Sequence, residues 1–175
     1  MCCCKTITQQ ELSNKNLLEL LDFLKSIPAK TLKELRFSDL YQPWNSCNGI
    51  YFISSPDCKQ IYMGKASRRC VADRIGAYFD SRENGFLNSF LKHIAKSKNL
   101  TLSSANLHDC YKDVLDWRLS VMFVETDNEE AVALINMIER MLIFHLRNYE
   151  ICINHTNRRR DIDRHTPFKT LLTNR

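Results

Sequence analysis

Two tripeptides, Gly49-Ile50-Tyr51 and Tyr62-Met63-Gly64, stand ten residues apart, with Lys65 directly after the second and Arg74 nine residues beyond it. A lone carboxylate, Glu139, lies far downstream in an apolar stretch. These residue types suit phosphate-ester chemistry. A phenol can align a water or take a proton from it. A guanidinium grips a phosphate through two parallel bonds and stabilises the charge of a pentavalent transition state. One carboxylate suffices for Mg²⁺, which keeps several of its waters.

Each residue also has a plainer reading. On a helix, Glu139 has Ile135 four residues before it and Leu142 and Ile143 three and four after, with Ile138 beside it. The carboxylate therefore points into or along an apolar face, where it must find a cation. A divalent ion meets that need, and so does an ion pair to Arg74, Arg118 or Arg140. Strand tyrosines usually pack their rings and send the hydroxyl outward. Tyr51 and Tyr62 differ in having Gly49 and Gly64 close by, in a chain with only four glycines. Glycine there admits the close approach of another backbone or a ligand. Tyr78 follows Arg74 by four residues, on the same helix face, and Asn154 could donate to a phosphate.

The elements that must position these groups follow from periodicity. Leu17, Leu18, Leu20, Leu21, Phe23 and Leu24 predict a helix capped by Ser13 or Asn14 and ended by Pro28. Thr31 and Glu34 form a capping-box pattern for a second, shorter helix. Residues 49–54 and 60–63 read as a hairpin around Pro56-Asp57. Helices are expected over about 69–79 and 86–97, polar loop over 99–116, and a strand over 118–125. A long helix, boxed by Thr126 and Glu129, should run to about residue 145, followed by a short extended piece at 151–154. The expected class is α/β (α+β): a small three-stranded sheet, mixed or antiparallel, flanked by helices. Residues 1–47 read as an N-terminal helical extension, 48–155 as the core with an insertion at about 80–116, and 156–175 as a basic tail.

The chain has 175 residues, 44% of them hydrophobic, which suits one domain with a proper core. No apolar run is long enough to span a bilayer, and Met1–Lys5 has no apolar stretch behind it. A cytoplasmic location is expected. Eight cysteines include no C-x-x-C pair and read as reduced, mostly core-filling thiols. Cys2, Cys3 and Cys4 read as an unstructured end rather than an acylation site. Of the net charge of +5, residues 155–175 supply +4 through Arg158, Arg159, Arg160, Arg164, Lys169 and Arg175 against Asp161 and Asp163. With Lys92, Lys96 and Lys98 on the polar side of the second core helix, the C-terminal arginines form a field suited to a polyanion; the charge of that C-terminal segment fits a solvated tail with no partner equally well.

The pattern Gly49-Ile50-Tyr51, ten residues, Tyr62-Met63-Gly64 resembles the GIY-YIG nuclease signature, with Met in place of the central Ile. Gly64-Lys65-Ala66, Arg74, Tyr78 and Phe79 are similar to the nuclease domain of the bacterial excision-repair incision subunit, which has tyrosine where many relatives have histidine. Glu139 matches the family's metal-binding glutamate and Asn154 its asparagine after that helix. The stretch from Gly64 to Arg74 is about two residues longer than in the family, and nothing resembles the other domains of the incision subunit. The resemblance implies a metal-dependent DNA endonuclease, restriction-type or structure-specific. Glu139 would hold Mg²⁺, with Mn²⁺ as a substitute. Tyr51 would act on the water with help from Lys65, Arg74 would neutralise the phosphate, and Tyr62, Tyr78 and Asn154 would orient them. Lys92, Lys96, Lys98, Arg158, Arg159 and Arg160 would bind double-stranded DNA. Cutting both strands would need a homodimer or repeated nicking. The alternatives are a DNA-binding module that kept the fold without cutting, and an interaction protein working through its N-terminal helices.

Overall fold

The computed structural model describes residues 3–40, 48–67, 69–85, 88–125, 129–147, 149, 152–153 and 164–173. The chain enters as a strand, β1 (Cys4–Thr8), and turns at Thr8 into α1 (Gln9–Asn14). Thr8 and Glu11 form a reciprocal capping box that fixes this turn. A second box follows at once. Asn16, not Ser13 or Asn14, caps α2 (Leu17–Lys25) by accepting from the Glu19 N–H at 3.0 Å, while Glu19 accepts from the Asn16 N–H at 2.9 Å. The expected second helix is only a 3₁₀ turn, Leu32–Glu34. The Thr31 hydroxyl bonds the Glu34 carboxylate there and leaves the backbone uncapped. It follows a two-residue strand, β2 (Lys30–Thr31).

The predicted hairpin is β3 (Gly49–Ser54) with β4 (Ile61–Ala66), closed by Ser55 N–H to Gln60 O at 2.8 Å. Three helices come next: α3 (Val71–Tyr78), α4 (Ser89–Ser97) and α5 (Ser104–Asp113). The last lies where a polar loop is expected. It buries only a narrow stripe, Leu107 and Cys110, and that is too little to register as an amphipathic period. Then come β5 (Arg118–Glu125), α6 (Glu129–Arg147) and α7 (Phe168–Thr173).

The fold is mixed α/β, as expected, but the sheet has five strands rather than three. β3 sits between β4 and β5, antiparallel to both, which is the expected three-stranded unit. On the far side of β5, β1 pairs parallel and β2 antiparallel. The N-terminal segment thus contributes strands as well as helices. Cys3 is buried and Cys4 lies in β1, donating its thiol to Asp39 O at 3.1 Å, so the start of the described chain is core and not a loose end. The thiols of Cys3, Cys58, Cys70 and Cys110 are in no disulfide.

Alternation along the strands gives the sheet two buried faces. Tyr51, Ile53, Tyr62, Leu119, Val121 and Phe123 face α3, α4 and α5. Ile50, Met63, Met122 and Val124 face α1, α2, α6 and α7. The segment expected as an insertion supplies Phe90, Leu91 and Ile94 to the first layer, over the tyrosines. Part of the expected basic tail belongs to the second: α7 buries Phe168 completely, and Phe168 N–H donates to Lys15 O at 2.9 Å. Thr126 of the expected capping box lies outside the described residues. Among those described, no helix is long and apolar enough to cross a membrane.

Candidate active site

Hairpin register builds the site. Tyr51 stands directly across from Gly64. A Cβ on Gly64 would come within 2.6 Å of Tyr51 Cε2, so the tyrosine ring lies over the glycine and carries its hydroxyl across β4. Gly49 is tight for a different reason, since a Cβ there would fall 2.8 Å from Met122 O on β5. Both glycines admit close approach, as their positions suggest, but the approaching groups are the protein's own.

The Tyr51 hydroxyl bonds that of Tyr78 on α3. Tyr62 donates to Tyr78 at 3.4 Å, and its oxygen lies 2.9 Å from Ser89 Oγ at the start of α4. The Tyr62 and Tyr78 rings meet edge-on, with centroids 5.4 Å apart, and His93 lies against Tyr62 at 5.7 Å. The three phenols are buried. Burial, the largest cause, pushes each of their pKa values well above the ordinary phenol range; repulsion from a neighbouring phenolate adds to it, while the bonds from Tyr78 to Tyr51 and from Tyr62 to Tyr78 oppose it. Arg74, half-buried one turn before Tyr78, opposes the rise at Tyr51 and Tyr78. Among the described residues no acid pairs with this guanidinium, which leaves it disposed toward an outside anion.

Glu139 lies in the other layer. Its helix, α6, packs on the face of Ile50 and Met63, opposite the phenols. Its partner is Lys65, which the pleat of β4 sends to that same face, and neither Arg74, Arg118 nor Arg140 takes this role. The two charged side chains are 21% and 15% exposed. The halves of the site therefore do not share one face. They meet across β4, a terminal strand of the sheet whose outer side is bridged at Ile61 by Cys152. Tyr62 and Gly64 belong to the phenol side of that strand, and Lys65 to the carboxylate side. The separation is short enough for the Glu139 charge to contribute to the raised pKa of both Tyr51 and Tyr62.

Among the described residues no group of three or more His, Cys, Asp and Glu side chains could cage a metal ion. Glu139 offers one carboxylate, already held by Lys65; a Mg²⁺ ion there would displace the ammonium and fill its other positions with water and phosphate oxygens. The lysines expected to bind DNA are unevenly available. Lys92 donates to Gly85 O at 2.9 Å, Lys98 is paired with Asp113, and Lys96 is exposed. Asn154, Arg158, Arg159 and Arg160 lie outside the described residues. Ser89 and His93 carry no motif and were not among the expected site residues. Ser89 ends the hydroxyl chain, and His93, one turn on, has Nδ1 2.6 Å from Ser89 O. An apolar groove on the far side of α3, between Phe37, Phe79 and Tyr111, includes none of the chemistry-bearing residues.

Neither a family model, a curated protein nor a solved structure matches the chain.

Proposed function

We propose that this protein is a divalent-metal-dependent DNA endonuclease of the GIY-YIG kind. The observation that carries the reading is the arrangement about β4: three hydrogen-bonded phenols beside Arg74 on one side, and the Lys65–Glu139 pair on the other. That arrangement suits a sugar–phosphate link lying along β4. Mg²⁺ or Mn²⁺, held by Glu139, would supply Lewis-acid charge at the phosphate. Arg74 grips the phosphate and neutralises charge that grows as the water oxygen bonds to phosphorus and gives its proton to solvent, while the ester oxygen leaves and takes a proton from solvent. Tyr51 stays protonated at neutral pH, because burial disfavours its phenolate. Its role is therefore to orient the water by hydrogen bonding. Tyr78 and Tyr62 hold the Tyr51 hydroxyl in place, and Ser89 anchors the far end of the chain. Double-stranded DNA is the proposed partner, and thiols in no disulfide suit the cytoplasm as its location.

Supercoiled plasmid incubated with the protein and Mg²⁺ tests the reading. Nicked or linear product is expected. Glu139→Ala should lose cleavage by about 10²–10³-fold or more and still retard DNA in a gel. Equal cleavage by Glu139→Ala would remove the metal role.

One observation favours a second reading, a DNA-binding module that does not cut. Glu139 is already satisfied by Lys65, and the phenols satisfy one another. Plasmid that is bound but never nicked, in Mg²⁺ or Mn²⁺, would decide for that reading.

A further inference from the structure

The most informative contact for regulation is the ion pair between Lys65 and Glu139, because both partners have work elsewhere under the proposed function. Glu139 is the residue suited to the cation, and Lys65 is a cation on β4, along which a phosphate would lie. In the free protein each is occupied by the other. We propose that the pair is a latch which metal and DNA open together, each ligand releasing the residue that the other needs. This inference rests on the reading of Glu139 as the metal ligand and DNA as the substrate.

The energetics follow from burial. With 21% and 15% of their side chains exposed, neither charge can be left without a partner cheaply. A divalent ion approaching Glu139 alone must displace an ammonium already in contact and leave Lys65 unpaired in a half-buried site. A phosphate approaching Lys65 alone leaves a half-buried carboxylate unpaired. Either ligand acting first carries the full cost of opening the pair, and the second then meets a free, desolvated group of opposite charge. Linkage makes the benefit mutual: DNA must tighten metal binding by the factor by which metal tightens DNA binding. Two features allow the exchange. Lysine carries a compact three-donor head on a flexible four-carbon stem. Lys65 also stands on the terminal strand β4, next to the Gly64 that the Tyr51 ring crosses, so a short swing redirects its charge along that strand. An arginine locked by two parallel bonds to the carboxylate would make a poorer latch.

The test measures Mn²⁺ affinity directly, from the free-ion electron paramagnetic resonance signal, for the full chain with and without a saturating 20-base-pair DNA duplex. In the unaltered protein the duplex should tighten Mn²⁺ by about tenfold or more. Lys65→Met should bind Mn²⁺ about tenfold tighter without DNA, and the duplex should then tighten it by a smaller factor than in the unaltered protein, the remainder coming from phosphate oxygens on the ion itself. Glu139→Gln should lose the site in both conditions, and with the duplex present it also measures Mn²⁺ held by the DNA itself. Far-UV circular dichroism and melting check the fold of each variant, with Lys65→Gln replacing Lys65→Met if the latter aggregates. Unchanged or weaker Mn²⁺ binding in folded Lys65→Met, with Glu139→Gln still abolishing the site, overturns the latch and leaves the metal reading standing. Mn²⁺ binding that ignores Glu139→Gln overturns both.

Discussion

At the scale of single residues, Gly64 shows what the site demands. Its backbone angle is unremarkable, since no glycine among the described residues has positive φ. What it supplies is space. Gly64→Ala puts a methyl within 2.6 Å of the Tyr51 ring, which must move and break its bond to Tyr78. The expected cost is about 1–3 kcal/mol in urea denaturation, with loss of plasmid cleavage out of proportion to the loss of fold. Full activity in folded Gly64→Ala would mean that the phenol chain is not needed. The phenols themselves bear on alkaline stability. Their folded pKa values lie above the value of about 10 for a free phenol. The folded state therefore holds protons that the unfolded chain gives up, and stability present below about pH 10 declines as pH rises further. Absorbance at the tyrosinate band, followed together with circular dichroism, reads this. Tyr51, Tyr62 and Tyr78 should ionise only as circular dichroism is lost; ionisation of every tyrosine near pH 10 in folded protein would contradict this. Tyr51, Tyr62, Arg74, Tyr78 and Glu139 were legible in the sequence because type and spacing marked them. Ser89 was not, since it joins the site through a hydroxyl contact across 27 residues.

Elements were legible where one local period dominates. The β3–β4 hairpin, α2 and α6 each follow from a single run of residues. β1 does not: its five residues acquire strand character from parallel pairing with β5, more than a hundred positions away. The opposite layers of Tyr51 and Glu139 were equally hidden, because a helix period says which side of the helix is apolar and not which face of the sheet it covers. α7 is the clearest case of composition misleading. Its surroundings are basic, and charge suggests a solvated tail. Phe168 nevertheless sits fully buried in the second core layer, and Lys169 Nζ bonds Asn14 Oδ1 at 2.8 Å. Phe168→Ala should cost about 3–5 kcal/mol of unfolding free energy, the range for a buried aromatic truncated to a cavity. A loss below about 0.5 kcal/mol, the surface range, would show that α7 detaches freely in solution. The same measurement on Lys169→Ala separates anchoring by the ring from anchoring by the surface bond, for which a small effect is expected.

For the whole molecule, the proposed DNA partner turns on how a net +5 would meet a polyanion. Total charge sets the long-range attraction, but only side chains that touch phosphates release counterions and steepen the salt dependence. Lys96 in the last turn of α4 and Lys98 at its C-cap differ in this respect although they stand two residues apart. Lys96 is exposed, whereas Lys98 spends its charge on Asp113. Lys96→Ala should weaken binding to a DNA duplex and reduce the slope of log affinity against log salt by about 0.9, one phosphate contact. Lys98→Ala should leave the slope nearly unchanged, and Asp113→Ala, by releasing Lys98, should steepen it. Replacing Arg158, Arg159 and Arg160 together by alanine should reduce the slope by as much as about 2.7 if all three reach the backbone. Fluorescence anisotropy across a salt series reads each value. Equal slopes for all the variants would mean that DNA lies elsewhere on the surface. Weak binding that ignores salt would favour an interaction protein instead, since nothing in a protein–protein contact of the N-terminal helices requires counterions to leave.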